Sequence, residues 1–321
     1  MNDSPPLVSV ICLCYNHQRF VQQAVESVVN QSYANMEIIL VDDSSTDDSA
    51  TVIRQLLLKY PTIKGLLLET NLGNCAAFNR GWALASGNFV IDFATDDLMM
   101  PARIEKQVNH FLSLDDSYGV VFTDAEYIDE NGRFIRRHFD HLFRKKLIRR
   151  VPEGEIFRNV LASYFIAAPT MMIRSTVMKE LGGYDETLSY EDFDFWIRSS
   201  RICQYSFLDE ILTSIRKVKG SMSTTLYRVG DKQLLSTYHV CEKALRLSGT
   251  KEDHNALAQR VRYELRHSVL SGNRVEAGLF YGLLTKITRP AWKDKFFIGM
   301  NRLQVPLAWL RRLYLRMRFG E

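Results

Sequence analysis

Between Val8 and Asp97 four short β-rich runs alternate with three amphipathic segments of helix length, and this rhythm constrains the fold more than any other feature of the chain. The runs Val8–Cys14, Glu37–Val41, Lys64–Leu68 and Phe89–Phe93 are mostly apolar on both faces, as strands of a parallel sheet covered by helices must be. The intervening segments, about Arg19–Asn30, Asp48–Tyr60 and Cys75–Ala85, read as crossover helices. Phe20, Ala24, Val25 and Val28 recur at helical spacing, as do Val52, Leu56 and Leu57. The expected product is a doubly wound α/β half.

Farther on, Pro101 stands at the head of a helix over Arg103–Leu112, where its missing N–H costs little. A strand is expected at Gly119–Thr123 and a turn at Asn131-Gly132. The segment to Arg150 holds eight Lys or Arg and a single acid, Asp140, and reads as a long surface loop or lid. Helices are expected at Glu155–Tyr164, Thr176–Leu181 and Glu191–Arg201, and a strand at Thr170–Ile173. Beyond about Tyr227 strand signals fade, so the expected division is an α/β domain over 1–226 and a helical region over 227–321.

With 321 residues, 46% of them hydrophobic, the chain can bury a full core, which excludes general disorder. The formal net charge of +4 is too mild to argue for nucleic acid as a partner. Five scattered cysteines, mostly in apolar runs, read as buried thiols of a reducing compartment. The start has no basic region of a signal peptide, and no run approaches the roughly 18 apolar residues of a membrane span. A cytoplasmic protein is expected.

In an open α/β sheet, ligands bind beyond the carboxyl ends of the strands. Asp42 and Asp43 end the second run, and Asp96 and Asp97 follow the fourth, so both pairs are expected on one crevice. Asp43-Ser44-Ser45-Thr46 also reads as a turn leading into a helix cap, and Asp96-Asp97 as acids preceding a helix. Hard carboxylate oxygens otherwise suit Mg²⁺ or Mn²⁺, which bridge phosphates. In Tyr190-Glu191-Asp192-Phe193-Asp194-Phe195-Trp196-Ile197, Phe193, Trp196 and Ile197 share one helical face. Glu191 and Asp192 then lie at the first turn, where the helix dipole is expected to keep them ionised and a carboxylate can act as general base.

At these residues the sequence resembles the family 2 glycosyltransferases, inverting enzymes of the GT-A fold. Val8-Ser9-Val10-Ile11 with Tyr15-Asn16 resembles the family's first strand and turn. Val41-Asp42-Asp43-Ser44-Ser45-Thr46-Asp47 is similar to its VDDGSTD segment, with Ser44 in place of Gly. Asn71-Leu72-Gly73 and Ala77-Phe78-Asn79-Arg80-Gly81 resemble N-x-G…A-R-N-x-G, with Phe78 for the usual Arg and Arg80 one residue past Asn79. Thr95-Asp96-Asp97 looks like a variant of the metal-binding D-x-D, and Gly182-Gly183-Tyr184-Asp185-Glu186 with Glu191-Asp192 resembles GGFDE…ED. The ordered set spans about residues 7 to 223.

The resemblance implies a GT-A fold, Rossmann-like, with a C-terminal helical extension, and a metal-dependent sugar transfer from a nucleotide diphosphate donor. It implies that Asp43 binds the nucleotide base with Asp42 beside it, that Asp96 lies by the ribose, and that Asp97 holds Mn²⁺ or Mg²⁺ on the diphosphate. Asn79 and Arg80 fall with the donor-binding residues, and Asp192, with Glu191, is the base that deprotonates the acceptor. UDP-sugars are the first donor expected, a glycan or lipid-linked acceptor the partner, and bacterial cell-surface polysaccharide or lipopolysaccharide synthesis the setting. Where many relatives carry His, this chain has Val218, so either Lys217, Lys219 or Arg216 compensates near the diphosphate or the dependence on metal is weaker. His17 reads as an exposed loop residue.

Two other classes compete: a non-catalytic module binding metal and nucleotide, and a sugar nucleotidyltransferase. The latter calls for a glycine-rich, basic stretch near the N-terminus, and Tyr15-Asn16-His17-Gln18 is not one. The Arg133–Arg150 segment is either a solvated loop or a lid over an anionic substrate. Over 303–319 a helical projection separates Leu303, Leu307, Leu310, Leu313, Tyr314 and Met317 from Arg311, Arg312, Arg316 and Arg318. Such a helix lies in a membrane interface, on the inner face of the membrane, or packs on protein.

Overall fold

The computed structural model describes residues 4–218, 227, 229–230 and 232–303, which fall into two compact units. The first covers residues 4–156 and 163–218. It begins with β1 (Val8–Cys14), α1 (Val21–Val29), β2 (Met36–Asp42), α2 (Ser49–Lys59), β3 (Lys64–Leu67), α3 (Asn74–Trp82) and β4 (Phe89–Ala94). These are the four strands and three helices expected from the alternation. Next come β5 (Leu98–Met99), α4 (Arg103–Leu112), β6 (Tyr118–Ile128), β7 (Phe134–Arg137) and α5 (His138–Arg144). The short α6 (Phe157–Ala162) groups with the second unit, and the first closes with β8 (Met172–Arg174), α7 (Ser175–Leu181), α8 (Asp192–Ser199) and β9 (Gln204–Arg216).

These nine strands form one sheet in the order β3-β2-β1-β4-β8-β6-β9-β5, with β7 paired to β6. The β3-β2-β1-β4 half is parallel, whereas β8 runs antiparallel to both β4 and β6. Alternate side chains of β1 divide the core between the two faces. Val8, Val10, Cys12 and Cys14 join Val21, Val25 and Val28 of α1, Ile53 and Leu56 of α2, and Ile104, Val108 and Phe111 of α4 in one buried cluster. On the other face α3 lies so close that a Cβ on Gly81 would stand 2.8 Å from the methyl carbons of both Ile11 and Val41. Only glycine permits that approach, which carries Asn74, at the start of α3, to the carboxyl ends of the strands.

Several elements differ from expectation, the two-residue β5 among them. The Arg133–Arg150 segment contains strand β7 and helix α5, because buried Phe139 and Leu142 anchor it despite its charge. The strand expected at Thr170–Ile173 begins at Met172, after a single 3-10 turn over Ala168–Thr170. The 13-residue β9 was not expected at all: Asp209 and Glu210 interrupt its alternation, and its pairing with β6 shifts register around Asp124.

The second unit comprises α6 with α9 (Lys232–Leu247), α10 (Lys251–Ser271), α11 (Arg274–Ile287) and α12 (Trp292–Arg302). Arg260 of α10 pairs with Glu264 one turn on at 3.1 Å and donates from Nε to the Leu161 carbonyl at 2.9 Å. The amphipathic segment expected over 303–319 lies, beyond Leu303, outside the described residues, as does Lys219. Among the described residues no helix is long and apolar enough to cross a membrane. All five cysteines are free, and four of them are buried.

Candidate active site

The loops after β1 and β2 are laced together by short polar side chains. Asp42 accepts hydrogen bonds from the Ser45 hydroxyl at 2.6 Å and the Ser45 N–H at 3.2 Å, so its carboxylate shapes the turn. Asn16, at φ 59°, takes the Thr46 N–H on Oδ1 at 2.8 Å. Ser44 is also left-handed, at φ 58°, at the position where the resembled motif has glycine. Asp43 is buried and accepts the Leu72 and Gly73 N–H groups at 2.7 and 2.9 Å. Burial raises its pKa, and those two amides work against the rise. Each oxygen of that carboxylate retains a second lone pair for a ligand N–H.

After β4 the chain turns through Thr95-Asp96-Asp97. Thr95 donates to the Leu13 carbonyl at 2.9 Å and meets His17 Nδ1 at the same distance. His17 Nε2 stands 3.9 Å from Asp96 Oδ2, with 22% of its side chain exposed. His17 is thus held against the acidic loop, not displayed as an exposed loop residue. Asp97 is 3% exposed and its Oδ1 accepts the Arg216 N–H at 2.8 Å. Burial first, and Asp96 second, push its carboxyl well above the usual range, while Arg103 and Lys217 pull the other way.

The end of β9 closes this corner, and it separates the roles of its two cations. The Arg216 guanidinium is consumed in structure: it donates to the carbonyls of Asp96, Asp129 and Glu130 and to Gln23 Oε1 at 2.8–3.3 Å, and lies over the Phe20 ring. Lys217 has its Nζ 4.6 Å from the centroid of the Tyr127 ring, and Arg136 of β7 has its Cζ 4.1 Å from the same centroid. Burial lowers the Lys217 pKa, Arg136 lowers it further, and Asp97 and Asp96 oppose them.

At the start of α8, Glu191 accepts a short hydrogen bond from Asn74 Nδ2. Phe193, Phe195, Trp196 and Ile197 are buried and anchor the helix. Asp192 Oδ1 is buried and has no hydrogen-bond partner among the described residues. The carboxyl of Asp192 lies well above its usual pKa through burial, the charge of Glu191, a hydrogen bond to Glu191, and the charge of Asp92. At Asp192 desolvation and like charge thus work against the helix dipole, whose effect on a first-turn acid is about 0.3–1 kcal/mol.

Asp92 is the residue that sequence reasoning missed. Its own pKa is raised by burial and by Glu191, and the Tyr184 hydroxyl bonds it. The available signal was an acid in the middle of the apolar strand Phe89–Ala94, unlike the acids that merely follow strand ends.

Asn79 and Arg80, expected with the donor-binding residues, both contact the turn at Tyr184–Glu186. The Asn79 amide clasps the Tyr184 backbone, accepting its N–H at 2.9 Å and donating to its carbonyl at 2.8 Å, and also meets Glu186 at 3.0 Å. Arg80 is exposed and pairs with Glu186 at 3.5 Å. Both hold the Tyr184–Glu186 turn.

Among the described residues no group of three or more His, Cys, Asp or Glu side chains is set to hold a metal ion. The pair Asp96 and Asp97 nevertheless fits a hard divalent cation. Its donors are carboxylate oxygens, and Mg²⁺-like ions commonly take one or two carboxylates and complete their shell with substrate phosphates and water.

The profile of glycosyl transferase family 2 matches residues 9–182. The Bacillus subtilis protein EpsE is 30% identical over 247 residues, covering 75% of this chain and 84% of its own. An uncharacterized glycosyltransferase of Methanocaldococcus jannaschii is 27% identical, covering 73% and 78%. Among solved structures, Staphylococcus aureus TarS 1-349 in complex with UDP aligns with a TM-score of 0.67 at 17% identity, over 98% of this chain and 92% of that one. The Pyrobaculum calidifontis mannosyltransferase PcManGT, in complex with GDP-Man and Mn²⁺, aligns with a TM-score of 0.60 at 16% identity, over 98% and 85%. The chain belongs to glycosyl transferase family 2 and is a glycosyltransferase of the GT-A fold.

Proposed function

We propose that this enzyme moves a sugar, with inversion, from a nucleotide diphosphate donor to an acceptor hydroxyl. The observation that carries this reading is the Asp96–Asp97 loop, bound to the end of β9 and drawn against Lys217, within a fold that supplies a separate carboxyl cluster at Glu191–Asp192. UDP-sugars are the first choice of donor, since TarS was solved with UDP and with UDP-GlcNAc. GDP-sugars follow, on the likeness to PcManGT.

In this reading Asp43 meets the nucleotide base, with Asp42 shaping the turn beside it. Asp96 lies by the ribose, and Asp97 would hold Mn²⁺ or Mg²⁺, which would supply charge neutralisation to the diphosphate. Lys217 takes the part that His has in many relatives, because Arg216 is already bonded and Val218 is apolar. Asp192, hydrogen-bonded to Glu191, receives the acceptor proton. A carboxyl whose pKa is lifted toward the working pH is a stronger base than an ordinary one. Asn79 acts on the site through Tyr184, whose hydroxyl reaches Asp92, and Arg80 braces the same turn through Glu186.

The acceptor in this proposal is a glycan or lipid-linked hydroxyl of cell-surface polysaccharide or lipopolysaccharide synthesis. Attachment to the inner face of the membrane through 303–319 belongs to the same proposal. A direct test is release of nucleoside diphosphate from UDP-, dTDP- and GDP-sugars with Mn²⁺ or Mg²⁺. Release from one nucleotide class is the expected result, and silence with every donor would favour a non-catalytic nucleotide-binding module.

A further inference from the structure

We infer that the outer surface of β7 and α5 is a docking surface for anionic phospholipid bilayers. The segment is firmly built from within. Phe139 and Leu142 are buried, the Phe139 N–H donates to Asp124 Oδ1 at 3.1 Å, and His138 bonds the Phe165 carbonyl at 2.8 Å and the Tyr127 hydroxyl at 3.2 Å. Outward, the same segment exposes Phe134 by 60%, Ile135 by 48% and Phe143 by 40%.

Single exposed apolar residues are ordinary on a soluble protein, but these three converge. They line one concavity of about 470 Å³ together with Arg136, Arg137, Asp140 and Arg144. Eight Lys or Arg and one acid fall within 133–150, against a net charge of only +4 for the whole chain, so positive charge is concentrated here. Exposed rings and an isoleucine beside the exposed Arg137 and Arg144 match the boundary of an anionic bilayer, where apolar groups enter the acyl margin and cations meet lipid phosphates. Nucleic acid would answer the charge but would leave Ile135 without a stacking partner. The same strand carries Arg136, which shares the Tyr127 ring with Lys217, so docking through β7 brings the Asp96–Asp97 corner near the lipid surface.

The test is co-sedimentation of the full chain with vesicles of phosphatidylcholine alone and of phosphatidylcholine mixed with phosphatidylglycerol. Binding is expected only with phosphatidylglycerol and should weaken as salt is raised. The double variants Phe134→Ser/Phe143→Ser and Arg137→Glu/Arg144→Glu should each lose about tenfold or more in affinity at an unchanged melting temperature. Phe134→Trp supplies a second readout that keeps an aromatic ring in place: its emission should be quenched by brominated acyl chains in the anionic vesicles. Equal binding to both vesicles, no binding, binding to RNA alone, unquenched emission from the Phe134→Trp variant, or a loss seen only on Arg311→Glu/Arg312→Glu would each overturn the inference.

Discussion

The backbone N–H of Arg216 donates to Asp97 Oδ1 at 2.8 Å, so the last residue of β9 holds the acid that follows β4. Arg216 and Lys217 are neighbours in sequence with different tasks. Arg216→Met removes donors from four acceptors and is expected to destabilise the fold by roughly 2–3 kcal/mol, read as a lowered melting temperature. Lys217→Met should leave the melting temperature nearly unchanged and weaken UDP binding by about tenfold, with a much smaller effect on UMP. Equal losses for UDP and UMP would remove Lys217 from the diphosphate.

Asp192 bears on both turnover and stability. Asp192→Asn is expected to lower kcat by about 10²–10⁴-fold while the donor Kd is retained. A carboxyl whose folded pKa is raised costs stability as pH rises from the ordinary carboxylate range to the raised value, and that cost persists above it. Asn carries no such cost, so the same variant should melt higher than wild type at neutral pH, with no advantage in strong acid. Undiminished turnover would exclude Asp192 as the base.

The negative charges of Glu191 and Asp92 that face Asp192 also predict a pH dependence. The base must be deprotonated, so kcat/KM should fall on the acid side with a midpoint above the ordinary carboxylate value of about 4. Asp92→Asn removes one negative neighbour and should move that limb toward lower pH. A limb that stays in place in Asp92→Asn would disconnect Asp92 from the base.

Ser44 holds φ at 58° with only a 3.4 Å contact from its hydroxyl to the Glu69 carbonyl. A left-handed non-glycine residue costs roughly 1–2 kcal/mol, and glycine gives back part of the gain through unfolded-chain entropy. Ser44→Gly should therefore stabilise the protein by about 0.5–1 kcal/mol, measured by denaturant unfolding. A lower midpoint would show that the hydroxyl contributes more than the strain.

What could be read from sequence follows from how each element is buried. The strands β1, β2 and β4 are apolar on both faces because helices cover both, and such runs are visible without partners. β9 was invisible because its partner β6 and its bulges, not its own alternation, define it. The basic charge between Arg133 and Arg150 masked β7 and α5, since the anchors Phe139 and Leu142 are few. In the site, acids at strand ends were legible by position. The part played by Asp92 depends on Tyr184 and Glu191 arriving from far along the chain, and the state of Asp192 depends on desolvation. The engagement of Asn79 with Tyr184 is likewise a tertiary contact that no local pattern encodes.

The most direct measurement is calorimetric titration of UDP, dTDP and GDP, each with and without Mn²⁺, into wild type and Asp97→Ala. Binding of one nucleotide that depends on the metal and is lost in Asp97→Ala is the expected result. Binding that is indifferent to Mn²⁺ and to Asp97, or no binding of any of the three, would contradict a metal-assisted donor site at the Asp96–Asp97 loop.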